Sequence, residues 1–141
     1  MERKLATVLF ADLVGSTQLL ASADPEVMRR RLTRYFESVS NRVEVHGGVV
    51  EKFAGDAVMA AFGIPIAHED DAERAARAAL AIVDAVEGLG LEVRIGLEAG
   101  ELVIDDSEAS TFATGEAVNV AARLQEAAAP GEVLIGLSCM I

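Results

Sequence analysis

Two aspartates, Asp12 and Asp56, stand where a chain could place divalent metal ions. An apolar run leads into Asp12, and the small residues Gly15, Ser16 and Thr17 follow it closely. Asp56 lies in the segment FAGDAVMAAF, at the mouth of a predicted hairpin. Both acids lie next to ends of strands that could be neighbours in one sheet, and two ions held by two carboxylates suit in-line attack at phosphorus. The alternative interpretation is structural, with Asp12 as a helix-capping acid and Asp56 as a turn residue.

The segment after Asp12 predicts a phosphate site. A buried strand is expected to end at Asp12, and a short helix is expected from about Ser16 to Ala21. The first backbone N–H groups of a helix have no partner within the helix, so they can bind an anion. A carboxylate beside such amides suits a complex of metal and phosphate, because the metal needs the acid and the phosphate needs the amides.

A second polar set lies far along the chain. Asn119 and Arg123 are four residues apart on a predicted helix, so they share a face on the flank of its buried stripe. An amide and a guanidinium could orient a ribose and stabilise charge on a transferring phosphate. The alternative is an ordinary solvated helix edge. Lys52, on a predicted strand, is on its spacing alone an ordinary exposed residue.

The composition limits the function class. With 141 residues the chain is long enough for one domain with a substantial core. Its net charge of −11 argues against non-specific binding to nucleic acid, which depends on lysine and arginine. No apolar run approaches the roughly 18–20 residues that span a bilayer, and the N-terminus has no signal-peptide pattern. A single cysteine, Cys139, excludes an internal disulfide and suits the reducing cytoplasm.

The elements that must position these residues follow from hydrophobic periodicity and turn signals. The predicted order is a strand over Leu5–Asp12, a helix from Asp24 to Gly47, strands over Val49–Phe53 and Asp56–Phe62, a helix from Glu69 to Val86, strands over Leu91–Ala99 and Leu102–Ile104, a helix over Glu116–Ala128 and a strand over Glu132–Gly136. Ala54 and Gly55 are expected to form the hairpin turn, and Gly100 the turn between the fourth and fifth strands. In that register Lys52 and Asp56 point to opposite faces. This order predicts an α/β (α+β) sandwich with a mainly antiparallel sheet and with the helices packed on one face.

Four segments, in order, resemble those of a known family: TVLFADLVGST, HGGVVEKFAGDAVMAAFG, VRIGLEAGE and TGEAVNVAARL. Over nearly the whole chain they resemble the catalytic domain of class III adenylyl/guanylyl cyclases, most closely the bacterial ones. The resemblance implies a ferredoxin-like core with the nucleotide cyclase fold, as one domain over residues 1–141. It also implies a homodimer packed head to tail, with active sites at the interface, and further domains in the full-length protein.

The resemblance assigns roles to the residues above. Two Mg²⁺ or Mn²⁺ ions per site would be bound by Asp12, Asp56 and the backbone of Leu13. The triphosphate would be bound by the backbone of Leu13, Val14, Gly15, Ser16 and Thr17. The purine would contact Lys52, the ribose would be oriented by Asn119, and the transition state would be stabilised by Arg123. In this family the acids and the Lys/Asn/Arg set of one site come from different subunits.

The implied reaction is attack of the ribose 3′-oxygen on the α-phosphorus of ATP, which gives cyclic AMP and pyrophosphate. Lys52 favours adenine, because an ammonium can donate to adenine N1 whereas guanine N1 carries a proton. The chain departs from the family where its second purine contact falls on Phe112, with Thr111 and Thr114 as nearby substitutes. An arginine that some members carry after the glycine of the fourth strand is Glu101 here.

Two alternative functions follow from these departures. The family domain is expected to continue beyond residue 141 through a hairpin that bears a triphosphate-binding lysine. That expectation and Phe112 favour a cyclase-like module that binds nucleotide or only dimerises within a larger signalling protein. A guanylyl cyclase is the other alternative, and turnover of GTP distinguishes it from an adenylyl cyclase.

Overall fold

The computed structural model describes residues 2–15, 24–105 and 112–139, with the backbone alone at residues 2, 52–54, 104–105 and 112–114. Its elements in chain order are the strand β1 (Glu2–Leu13), the helix α1 (Pro25–Val45), the strands β2 (Val49–Ala54) and β3 (Ala57–Phe62), the helix α2 (Asp71–Gly88), the strands β4 (Val93–Asp105) and β5 (Phe112–Thr114), the helix α3 (Glu116–Ala127), the strand β6 (Val133–Ile135) and a 3₁₀ turn (Leu137–Cys139). The predicted alternation of strands and helices is confirmed. The helix expected near Ser16 lies outside the described residues.

Strand β1 is the centre of the sheet. The strand order is β2-β3-β1-β4-β5, all neighbours on this path are antiparallel, and β6 pairs with β4 in parallel. β1 pairs with β4 over its whole length, from Glu2 opposite Ile104 to Leu13 opposite Val93. Its neighbouring residues Val8 and Leu9 point to opposite faces, and both are fully buried. The apolar run of β1 is therefore covered on both sides, as its lack of alternation predicts.

Helices cover both faces of this sheet. Leu9 and Ala11 of β1 belong to one core cluster, which includes the buried side chains of α1 and α2. Val8 belongs to a second cluster, together with Ala117 and Ala121 of α3. The α/β class and the mainly antiparallel sheet are confirmed, and α1 and α2 share one face as expected. The prediction that all helices pack on one face is wrong for α3, which lies on the opposite face.

A glycine in β4 admits α3 at close range. A Cβ atom on Gly96 would lie 2.3 Å from the carbonyl oxygen of Ala121 and 2.4 Å from the backbone nitrogen of Gln125. Any side chain at residue 96 would push the helix backbone away from the sheet. The small residues at this contact therefore allow α3 to pack closely on the face of the sheet opposite α1 and α2.

The fourth strand is longer than predicted. β4 runs without a turn through Gly100 to Asp105, because β1 provides a hydrogen-bonding partner along the whole length. A Cβ atom on Gly100 would lie 3.1 Å from the Cβ of Ala117, so this glycine also makes room for α3. The prediction of a fifth strand over Leu102–Ile104 is wrong, and the fifth strand is Phe112–Thr114.

The β2–β3 hairpin turns one residue later than predicted. Ala54 pairs with Ala57, so Gly55 and Asp56 form the two-residue loop. Gly55 has φ of +63°, which suits the first loop position of a hairpin and favours glycine there. The register also shifts between Val50 and Lys52. The expected turn at Ala54 and Gly55 is corrected accordingly, and Asp56 lies in the turn rather than in β3.

The start of α1 follows the predicted capping signal, whereas α2 begins at Asp71 rather than at Glu69, and Asp70 gives it no side-chain cap. Asp24 caps α1, with its carboxylate accepting a hydrogen bond from the Glu26 N–H at 2.9 Å, and Pro25 occupies the first turn. Asp71 and Glu73 lie in the first turn of α2. In the part of the chain that the structure describes, no helix combines the length and the apolar character needed to cross a membrane.

Candidate active site

Asp12 and Asp56 come together at one end of the sheet. Asp12 is next to the last residue of β1 and pairs with Ala57 of β3, which directly follows Asp56 in the hairpin turn. The two carboxyls are close enough to share a hydrogen bond when one of them is protonated. Burial and the neighbouring Asp56 raise the pKa of Asp12 to about 6, although the charge of Arg94 acts in the opposite direction. The predicted juxtaposition of the two acids is thus present in the fold.

The two oxygens of the Asp12 carboxylate have different surroundings. Oδ2 accepts a hydrogen bond from Gln125 Nε2 at 3.5 Å and lies 3.7 Å from Arg94 Nη2. Oδ1 is buried and has no hydrogen-bond donor in the described part of the chain. A buried oxygen without a donor, beside a second carboxylate, fits a divalent cation, because the cation would satisfy the oxygen and remove the repulsion between the acids.

Tyr35 of α1 is buried close to these acids. Its hydroxyl has no hydrogen-bond partner among the described residues. Burial, followed by the charges of Asp12 and Asp56, raises its pKa far above the usual value. Tyr35 therefore stays neutral and adds no charge to the site.

Protein side chains alone do not complete a metal coordination sphere here. Within residues 2–15, 24–105 and 112–139 no group of three or more His, Cys, Asp or Glu side chains could hold a metal ion. Further ligands would have to come from backbone carbonyls, water or a bound phosphate, which are the ligands Mg²⁺ ordinarily accepts in nucleotide sites. The backbone of Leu13 adjoins Asp12 and stays a predicted ligand.

The predicted phosphate segment is described only in part. The Val14 N–H donates to the carbonyl oxygen of Glu92 at 2.8 Å, so this amide is not available to an anion and its predicted phosphate contact is corrected. Gly15 is exposed, with φ of +71°. Ser16 and Thr17 lie outside the described residues.

Asn119 and Arg123 lie on the outer face of α3. Both are exposed, and Arg123 Nη2 lies 3.4 Å from Glu116 Oε1. With 3.6 residues per turn, they project opposite to Ala121 and Gln125, which face the sheet. Asn119 and Arg123 were expected on the flank of the buried stripe, and this is corrected: they lie on the exposed side of α3. Neither side chain hydrogen-bonds or forms an ion pair with the two acids of its own chain in the described structure.

The purine-binding predictions are only partly located. The backbone of Lys52 is in the edge strand β2, opposite Met59. The prediction that Lys52 and Asp56 point to opposite faces assumed a hairpin turn at Ala54 and Gly55, and that register is not the observed one. The backbone of Phe112 is in β5, opposite Asp105. Thr111 lies outside the described residues.

Sequence reasoning missed Arg94 and Gln125, the two side chains that hold Asp12. Arg94 is directly opposite Asp12 across the β1–β4 pair. Its only local signal is a charged residue in an alternating strand, which is equally typical of a solvated position. Gln125 is a buried polar residue on the inner face of α3, and buried polar groups usually have a specific partner.

Comparisons with known proteins identify relatives over almost the whole chain. A family model described as the adenylate and guanylate cyclase catalytic domain matches residues 2–140. Rv1319c, an uncharacterised protein of Mycobacterium tuberculosis H37Rv, is 39% identical over 133 residues, which cover 90% of this chain and 25% of that protein. The chain therefore spans about a quarter of the length of the curated relatives it matches.

Two solved structures share the fold. The adenylyl cyclase CyaB from P. aeruginosa is 30% identical with a TM-score of 0.93, and the match covers 98% of this chain and 79% of that one. The guanylyl cyclase Cya2 is 28% identical with a TM-score of 0.90, and the match covers 99% of this chain and 78% of that one.

Proposed function

Because this chain belongs to the family of adenylate and guanylate cyclase catalytic domains, we propose that it is an adenylyl cyclase that converts ATP to cyclic AMP and pyrophosphate. The observation that carries the proposal is the meeting of Asp12 and Asp56, which come from separate elements to one end of the sheet. The reaction joins the ribose 3′-oxygen to the α-phosphorus and breaks the bond between that phosphorus and the pyrophosphate oxygen. The 3′-hydroxyl proton passes to solvent.

Asp12 and Asp56, with the backbone of Leu13, would hold two Mg²⁺ or Mn²⁺ ions. Asp12 Oδ1 is suited to this role, because it is buried without a donor while Oδ2 is already held by Gln125 and Arg94. Bound there, the ions would lower the pKa of the 3′-hydroxyl and neutralise charge on the phosphates.

A second copy of the chain would complete the site. Asn119 and Arg123 face outward from α3, so they can meet a nucleotide bound at the acids of another chain more readily than one bound at their own. There Asn119 would orient the ribose, and Arg123 would stabilise negative charge on the α-phosphate. We therefore propose a head-to-tail homodimer with two active sites, each built from both chains.

Lys52 supports adenine as the preferred base. Its ammonium can donate to N1 of adenine, and it would be repelled by the protonated N1 of guanine. Phe112, at the family's second purine contact, offers no hydrogen bond to either base. We propose ATP as the substrate and the cytoplasm, which supplies ATP, as the location.

Product formation from ATP and from GTP, with Mn²⁺ present, tests this function. We expect cyclic AMP from ATP, little cyclic GMP from GTP, and a loss of activity on the order of 100-fold or more in Asp56→Ala, because one carboxylate cannot hold both ions. Asp84→Ala, which removes an exposed acid of α2, is the matched control and should leave turnover unchanged. Cyclic GMP as the main product would favour the guanylyl alternative. Binding of ATP without any product, at concentrations that maintain the dimer, would favour the nucleotide-binding module.

A further inference from the structure

A set of contacts joins Asp12 to the last turn of α3. Arg94 Nη2 lies 3.7 Å from Asp12 Oδ2, and Arg94 Nη1 donates to the carbonyl oxygen of Glu126 at 3.3 Å. Gln125 Nε2 donates to the same Asp12 oxygen at 3.5 Å. Glu126 and Gln125 are consecutive residues of α3, so Asp12 is connected to this turn by two independent side chains.

The contact between α3 and the sheet is close enough to transmit a displacement. Gly96 lies two residues beyond Arg94 on the same face of β4, and its position allows the backbone of α3 to approach directly. Ala121 and Gln125 are buried against this face. Because no compressible side chain separates helix and strand here, a shift of Asp12 and Arg94 should move the end of α3 with it.

We propose that Arg94 is a positioning residue that couples the Asp12 carboxylate to helix α3, an inference that rests on the proposed function. In the head-to-tail dimer, Asp12 belongs to one active site, whereas Asn119 and Arg123 on the outer face of the same α3 belong to the other. Occupancy of the metal site in one active centre is thereby communicated to the ribose and phosphate contacts of the second. Gln125 is the auxiliary contact of this coupling.

The coupling and the metal use different oxygens of Asp12. Gln125 and Arg94 contact Oδ2, whereas Oδ1 is the buried atom without a donor. A cation on Oδ1 can therefore bind while the contacts to α3 persist. Binding would fix the carboxylate between the cation on one side and Arg94 on the other, which orders the last turn of the helix.

Amide hydrogen exchange of the whole protein, with and without Mg²⁺ alone, tests the coupling without any turnover. In the unmodified protein we expect Mg²⁺ to slow exchange several-fold in three peptides: the end of β1, the β2–β3 turn and the last turn of α3. In Arg94→Ala the first two peptides should still respond, and the response of the α3 peptide should be clearly weaker, because only the Gln125 contact then joins Asp12 to this turn. Arg77→Ala, which removes an exposed ion pair with Glu73 on α2, is the matched control and should behave like the unmodified protein.

Arg94→Lys distinguishes the effect of the positive charge from the effect of the two simultaneous contacts. It also replaces the alanine variant if that variant folds poorly. The lysine keeps a positive charge near Asp12, but its single nitrogen cannot contact both the carboxylate and the Glu126 carbonyl in the way the guanidinium does. We expect the α3 response to be weakened here as well. A normal α3 response in either Arg94 variant would overturn the coupling.

The peptides also distinguish the two proposals. If the end of β1 and the hairpin turn respond to Mg²⁺ and α3 does not respond in the unmodified protein, the coupling is wrong and the metal site stands. If none of the three responds, the proposed metal site is wrong and the coupling with it. In turnover assays Arg94→Ala should lower kcat about tenfold with KM for ATP within about twofold, because positioning acts in the transition state. An unchanged kcat with a raised KM would contradict a positioning role.

Discussion

At the scale of a single residue, Asp12 is subject to opposing electrostatic influences. Its side chain is 24% exposed, and it faces both the charge of Arg94 and the carboxyl of Asp56. In the metal-free protein burial and Asp56 outweigh Arg94, so the pKa rises to about 6 from a model-compound value of 3.8. Ionisation of Asp12 at neutral pH therefore costs stability, and a cation bound beside the two carboxyls would offset that cost.

This shift predicts how stability depends on pH in the absence of metal. Since the folded pKa is above the unfolded one, folded protein holds the proton more tightly, and the favourable contribution present below about pH 4 is lost as pH rises through about 6. Asp12→Asn mimics the protonated acid. We expect it to raise the free energy of unfolding in EDTA by about 1–3 kcal/mol at pH 7.5, with no gain at pH 4, as measured by urea denaturation.

Mg²⁺ provides the control for that measurement. Saturating Mg²⁺ should stabilise the unmodified protein at pH 7.5, because a ligand that binds only the folded state shifts unfolding by mass action. It should have no effect on Asp12→Asn. Equal stability of the two proteins at pH 7.5 in EDTA would show that Asp12 is not strained by its surroundings.

At the scale of elements, the turn of the β2–β3 hairpin places the second acid. Gly55 occupies the left-handed region at φ +63°, and Asp56 follows it in the loop. Gly55→Ala should destabilise the fold by about 1 kcal/mol, because an L side chain is strained at positive φ. It should also weaken Mg²⁺ binding, measured by calorimetry, because the strain falls on the loop that carries Asp56.

Gly90→Ala is the matched control for this turn. Gly90 has φ of +75° just beyond α2, and the nearest atom to the position of its Cβ, among described residues other than its chain neighbours, is Arg31 Nη2 at 3.9 Å. Its replacement should cost about the same stability, with no change in Mg²⁺ affinity. Similar weakening of Mg²⁺ binding in both variants would indicate a general loss of stability rather than displacement of Asp56.

The packing of α3 on β4 gives a second prediction at this scale. Gly96→Ala inserts a methyl group 2.3 Å from a backbone oxygen, so we expect a loss of at least about 2 kcal/mol in unfolding free energy together with reduced turnover. Gly88→Ala, where a Cβ meets no other described part of the chain within 4 Å, should be neutral or stabilise by up to about 1 kcal/mol. Thermal denaturation checks both, and equal behaviour of the two variants would refute the close contact.

At the scale of the whole molecule, the proposed dimer requires each chain to contribute different residues to two active sites. Its acids lie at one end of the sheet, whereas Asn119 and Arg123 project from the exposed side of α3. Complementation follows from this division. Asp56→Ala and Arg123→Ala should each be inactive as homodimers, and an equal mixture should recover about a quarter of the unmodified activity, because half of the randomly formed dimers hold one intact site of two.

Dilution gives the corresponding control. Activity of the mixture and of the unmodified protein should fall together as the concentration drops below the dimer dissociation constant. If the mixture stays inactive while each variant dimerises, the acids and Arg123 must serve the same chain. That outcome would contradict the head-to-tail site and not the presence of a metal site.

The sequence by itself determined the alternation of elements, the capping of α1 and the expectation that Asp12 and Asp56 come together. Periodicity and caps are local, so α1 could be recognised from Asp24 and Pro25, and the buried strand from the run that ends at Asp12. The four segments also identified the family, and with it the nucleotide cyclase fold, which the solved structures confirm. Each of these signals is contained within a short stretch of chain.

Only the tertiary structure decided the face on which α3 lies, the continuity of β4, the turn at Gly55 and Asp56, and the contacts of Arg94 and Gln125 with Asp12. These depend on strand register and on close packing between residues far apart in sequence. A shift of one residue reverses the face of every side chain in a strand, and hydrophobic pattern alone does not fix it. Asp12 is therefore predicted as a metal ligand from its neighbours in the chain, whereas its contacts with Arg94 and Gln125 depend on the pairing of β1 with β4 and on the packing of α3.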